Sequence, residues 1–146
     1  MSVARVGQTA TLLPNGEVLI VGGRGAAGPL SSAELYDPET GRFSPTGPMN
    51  VARQGQMAVL LATGQVLIVG GEAAGGVADA LASAEVYDPA TGTFRAAGTM
   101  ATGRDSPSAT TLPGGSVLIA GGADGSAAGT GTHPVLALAS AEIYRP

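Results

Sequence analysis

The chain has 146 residues, 44% apolar, 12% charged and 3% aromatic, with a formal net charge of −4. That length bounds it to about one domain, and so much apolar side chain with so little charge excludes intrinsic disorder. Zero Cys excludes disulfide scaffolds, thiolate metal sites and cysteine nucleophiles, and the seven cations, all Arg and scattered from Arg5 to Arg145, leave no basic patch for a nucleic-acid backbone.

Taken in chain order, residues 7–13 are small or β-branched and predict a first strand, closed by the hairpin turn Pro14-Asn15-Gly16. Val18 to Val21 is an apolar run of strand length, expected to be buried on both faces. Gly22 and Gly23 end it, where a strand terminus needs close backbone approach or positive φ. Ala33 to Tyr36 predicts a third strand, Asp37-Pro38-Glu39-Thr40-Gly41 a turn, and Phe43 marks a fourth strand.

The same order then returns. VLIVGG at 18–23 recurs at 66–71 and as VLIAGG at 117–122, so the doublets Gly70-Gly71 and Gly121-Gly122 keep the phase of the first. Ser32-Ala33-Glu34 recurs as Ser83-Ala84-Glu85 and Ser140-Ala141-Glu142, and Tyr36 as Tyr87 and Tyr144. Phe94 follows the second turn, Asp88 to Gly92, as Phe43 follows the first; the third unit lacks a counterpart. Arg5, Arg53 and Arg104 each stand four residues after a Met. Three copies at a period of about 50 residues predict a repeat architecture. Four antiparallel strands per unit predict the blades of a β-propeller, with blade 1 over about 1–48, blade 2 over about 49–99 and a three-stranded blade 3 over about 100–146, all in a single domain. The Ala-rich stretch from Ala73 to Val86 has helix propensity, but Gly75, Gly76 and the strand phase of the other copies outweigh it.

The Gly doublet, the later Tyr, the D-P-x-T-G turn and the closing aromatic resemble the Kelch repeats of bacterial proteins. Two units match in full and the third lacks its last strand. The resemblance implies an all-β Kelch-type propeller and places Tyr36, Tyr87, Tyr144, Phe43 and Phe94 in packing within the blade near the Gly doublet. It departs at Phe43 and Phe94, where the family commonly has Trp, and at Gln8, Gln56 and Pro107, where many bacterial relatives carry His. Some Kelch-type propellers are copper-radical oxidases using a Cys-linked Tyr and His ligands; with no Cys and His133 alone, that chemistry is excluded.

In this architecture Arg5, Arg53 and Arg104 reach one rim of the central channel. One reading makes them a ring that binds an anion or a partner's carboxylates; the other pairs each locally with Glu34, Glu85 or Glu142, which recur in the same phase. The loops after the Gly doublets, 24–31, 72–82 and 123–139, share that rim and offer Arg24, Glu72, Asp79 and Asp124 as polar candidates. No metal set is expected, since His133 stands alone and no loop alternates Asp or Asn as calcium requires. No cofactor is expected, because the Gly doublets lack the helix and the Lys of a phosphate loop.

Two blades and most of a third fall short of the four to eight, roughly, that close a propeller. A homodimer completing a six-bladed ring is therefore expected, with an apolar interface above roughly 1,000 Å². The strand edge after Glu142 to Tyr144 is expected to be open. No apolar run approaches the ~20 residues of a membrane span, and the opening MSVARVGQTA lacks the apolar core of a secretory signal, so the chain is expected to be soluble and untargeted. The function read from these features is a non-catalytic propeller module for binding and self-assembly, taking a protein or small anionic ligand at its loop rim. The alternatives are a sugar-processing propeller enzyme of mutarotase or lyase type, and a fragment or engineered half-propeller with a purely structural role.

Overall fold

The computed structural model describes residues 1–74, 79–124 and 136–146. The first unit forms β1 (Thr9–Leu12), β2 (Val18–Val21), β3 (Arg24–Gly25), β4 (Gly28–Pro29), β5 (Ala33–Asp37) and β6 (Arg42–Thr46). The second forms β7 (Met57–Leu60), β8 (Val66–Val69), β9 (Ser83–Asp88) and β10 (Thr93–Thr99). The third forms β11 (Ser108–Thr111), β12 (Val117–Ala120), β13 (Ala123–Asp124), β14 (Leu136–Ala137) and β15 (Ala141–Tyr144). The described residues are thus all-β, in antiparallel sheets ordered β1-β2-β5-β6, β7-β8-β9-β10 and β11-β12-β15. Stiff β-branched side chains suit the pleated second strand of each sheet. The turns between them use Gly at positive φ, as at Gly16, Gly64 and Gly114.

The sheets stack face to face. Leu19 and Val21 of the first meet Val66 and Ile68 of the second in one cluster. Leu67 and Val69, on the opposite face of β8, meet Val117 and Ile119 of the third in another. The inner strands β1, β7 and β11 lie side by side along the stack.

The expectation that each apolar second strand is buried on both faces holds only for β8. All four residues of β8 are buried, whereas β2 and β12 alternate buried with half-buried residues. The physical reason is the number of neighbours: among the described residues only the middle sheet has another sheet against each face. Among the described residues the third sheet has three strands, as expected.

The aromatic placement also needs correcting. Tyr36 packs on Phe43 and Tyr87 on Phe94, each with ring centroids 4.8 Å apart. These pairs are within the blade, but at the end remote from the Gly doublets, because the register sets Tyr36 opposite Val18 and Tyr87 opposite Val66. Tyr144 likewise lies opposite Val117.

Candidate recognition rim

The three repeated Arg residues make one contact three times. Arg53 donates from Nη1 to the carbonyls of Gly70 and Ser83, both at 3.0 Å, and from Nη2 to Glu85 Oε1 at 3.0 Å. Arg5 bonds Gly22, Ser32 and Glu34 in the same way, and Arg104 bonds Gly121, Ser140 and Glu142. Each Glu turns its second oxygen to the backbone N–H that follows a junction Met: Ser2, Asn50 or Ala101. The side chain of each Arg is at most 1% exposed. Of the two readings, the geometry is that of local pairing: the guanidinium groups close the Gly-doublet end of β2 onto β5, of β8 onto β9 and of β12 onto β15. The cause is chemical: a strand ending in Gly-Gly presents a carbonyl that the fork-shaped guanidinium shares with the next strand.

Charge is tuned in this frame. Burial pulls the Arg53 guanidinium down, opposed by the adjacent Glu85. Burial pushes the Glu34 carboxyl up, but the Ser2 N–H and Arg5 outweigh it and leave the group below its ordinary value. Glu142 follows the same pattern through Ala101 and Arg104. Burial pushes the Tyr87 hydroxyl up, partly offset by its bond to Thr46, 2.9 Å away on the neighbouring blade.

One residue beyond each Arg lies the rim itself. Arg24 exchanges backbone hydrogen bonds with Val6, Glu72 with Gln54, and Ala123 with Asp105, so these bridges occupy one position in three blades. The Gly55 N–H donates to the Gly7 carbonyl at 3.2 Å and the Ser106 N–H to the Gly55 carbonyl at 3.0 Å, which ties the three together along the inner edge. They line an open concavity of about 330 Å³ that gathers Arg24, Gln54, Glu72, Asp105 and Ser106. Glu72 is 8% exposed and accepts a hydrogen bond from Gln54 Nε2. A Cβ on Gly55 would strike the Asp105 carboxylate, so the glycine makes room for that acid. Ser106 Oγ donates to Asp105 Oδ1 at 3.2 Å, and Ser106 holds φ 51 where Gly7 and Gly55 hold 69 and 65.

Arg24 and Glu72 therefore stand together on the rim. Asp124 lies one residue past the third bridge, on β13 opposite Leu136. Asp79 is exposed and outside the concavity; its carbonyl accepts the Ala73 N–H. His133 and most of loop 123–139 lie outside the described residues. Gln54, Asp105 and Ser106 escape sequence reasoning. Their signal is the inconstancy of a position inside a constant frame: Val6, Gln54 and Asp105 each follow the repeated Arg. A larger concavity, about 550 Å³ at the opposite end, is walled by the hairpin turns at Pro14, Thr63 and Pro89.

Stacked antiparallel sheets of four, four and three strands with a repeated Arg–Glu clasp define a propeller-type repeat protein. The Kelch motif model matches residues 7–50 and 56–101, and the chain belongs to the Kelch-repeat family. Repeats of this kind build β-propeller protein-interaction modules. A comparison with curated proteins found no match.

Proposed function

We propose that the chain is a non-catalytic Kelch propeller module that assembles with itself and recognises a protein partner through its rim. The observation that carries this reading is the contrast between frame and rim. The Arg–Glu clasp is the same in all three blades, while the adjoining bridge is Val6–Arg24, Gln54–Glu72 and Asp105–Ala123. A rigid scaffold presenting varied polar groups at one edge is how binding surfaces are ordinarily built. The small-anion reading rested on the three repeated Arg residues, whose guanidinium groups are enclosed and bonded. With Glu72 and Asp105 beside Arg24, the concavity suits a protein segment presenting a basic side chain next to an acidic one. Among the described residues the shifted groups are Glu34, Glu142, Arg53 and Tyr87 in the blade frame and Asp37 in the exposed turn it caps, none of them on the rim, which favours binding over proton-transfer chemistry there.

The test is an array of short peptides of varied charge, with binders titrated onto rim variants. Asp105→Asn and Arg24→Ala are expected to weaken binding about tenfold or more while Arg42→Ala leaves it unchanged. Binding indifferent to both rim variants, or no binder in the array, would contradict the rim assignment.

A further inference from the structure

We propose that the third blade of one chain docks on the first blade of a second copy, in the register that already joins blades within the chain; this rests on the propeller reading above. Two internal junctions define the register. At each, the Arg entering an inner strand donates its N–H to a Leu carbonyl of the preceding blade, Arg53 to Leu30 and Arg104 to Leu81, both at 3.1 Å. Its own carbonyl accepts from the second Gly of the preceding doublet, Arg53 from Gly23 at 2.9 Å and Arg104 from Gly71 at 2.8 Å. A third junction of this pattern joins Leu138 and Gly122 to Arg5. Among the described residues, the Leu138 carbonyl, the Gly122 N–H and both backbone groups of Arg5 have no protein partner. They are the complementary halves of one junction, displayed at opposite ends of the stack.

Side chains carry the same asymmetry. Gln56 reaches across the first junction to the Val21 carbonyl at 2.8 Å and is 2% exposed. Its counterpart Gln8 is exposed, and the counterpart of Val21 is Ala120. Leu19 and Val21 meet Val66 and Ile68, and Leu67 and Val69 meet Val117 and Ile119. The next pair in that series is Leu118 and Ala120 against Val18 and Ile20, and these four are the half-buried members of β12 and β2. Two copies of this 146-residue stack, each with three blade sheets among its described residues, give a ring of six blades, within the range of about four to eight, whereas three copies give nine. The closed solution is a twofold dimer with two equivalent junctions.

Light scattering of the purified 146-residue chain at micromolar concentration is expected to give twice its 14.1 kDa mass. Gln8→Ala, at an exposed position, is expected to keep the fold and raise the dimer dissociation constant about tenfold or more. Ile20→Asp and Leu118→Asp are each expected to give monomers, and their equimolar mixture to reassemble, because one junction in the mixture has two native faces. A monomer with β-sheet circular dichroism and cooperative unfolding would overturn the dimer while leaving the propeller reading intact; absence of the β-sheet signal would strike that reading instead. A dimer indifferent to all three substitutions, or masses that climb with concentration beyond twice the chain, would also overturn the proposal.

Discussion

Arg53 Nη2 lies 3.0 Å from Glu85 Oε1, with side-chain exposures of 0% and 3%. Removing one member of such a pair leaves the other charged and enclosed, so Arg53→Met is expected to cost about 3–5 kcal/mol in chemical denaturation. Arg24→Ala, on the exposed rim, is expected to stay within about 0.5 kcal/mol of the parent. An Arg53→Met protein as stable as the parent would contradict the clasp.

Acid should loosen the same frame. Burial raises the Glu34 and Glu142 carboxyls, but the N–H groups of Ser2 and Ala101 and the paired Arg residues outweigh it, so both sit below 4.5 when folded. A folded value lower than the unfolded one contributes stability that is complete above the unfolded value and is lost as pH falls through the folded one. The urea midpoint is expected to hold on the neutral side and drop below about pH 4.5, with a smaller drop in Glu34→Gln. A midpoint that stays constant or rises on acidification would contradict this balance.

Gly16 and Gly23 separate two reasons for glycine. Both have positive φ, +90 and +86, but a Cβ on Gly16 meets nothing within 4 Å, whereas on Gly23 it would lie 2.8 Å from the Val6 carbonyl and 2.9 Å from the Gln8 nitrogen. Gly16→Ala is expected to cost about 1–2 kcal/mol from backbone strain alone. Gly23→Ala adds overpacking and is expected to cost about 2–5 kcal/mol. Equal losses for the two in parallel denaturation curves would refute the close-approach account.

Ser106 occupies a left-handed position, φ 51, that the other blades give to glycine, and Pro107 follows it, which disfavours that region further. Ser106→Gly is expected to raise stability by about 1 kcal/mol, read as an increase in thermal midpoint. A lower midpoint would mean that the bond from Ser106 Oγ to Asp105 outweighs the strain.

The sequence legibly encodes the blades because turn chemistry and apolar runs recur together, as in Val18 to Gly23 and its two copies. The Arg–Glu clasp was legible as one of two readings, from phase alone. The difference in burial between β2, β8 and β12 was not, since VLIV, VLIV and VLIA are nearly the same string and their neighbours decide what is covered. The two-residue strand pairs β3–β4 and β13–β14 are not legible because strands that short carry no hydrophobic period. The rim residues Gln54, Asp105 and Ser106 were hidden for the opposite reason: they break the repeat that made the rest readable.

The continuity of the blade register from chain to chain is tested most directly by amide hydrogen exchange at Gly71 and Gly122. The Gly71 N–H donates to the Arg104 carbonyl within the chain at 2.8 Å, so its protection should not depend on protein concentration. The Gly122 N–H is expected to be protected to a similar degree at high concentration, through Arg5 of a second copy, and to lose that protection on dilution. Fast exchange at Gly122 at every concentration, with Gly71 protected throughout, would contradict the account.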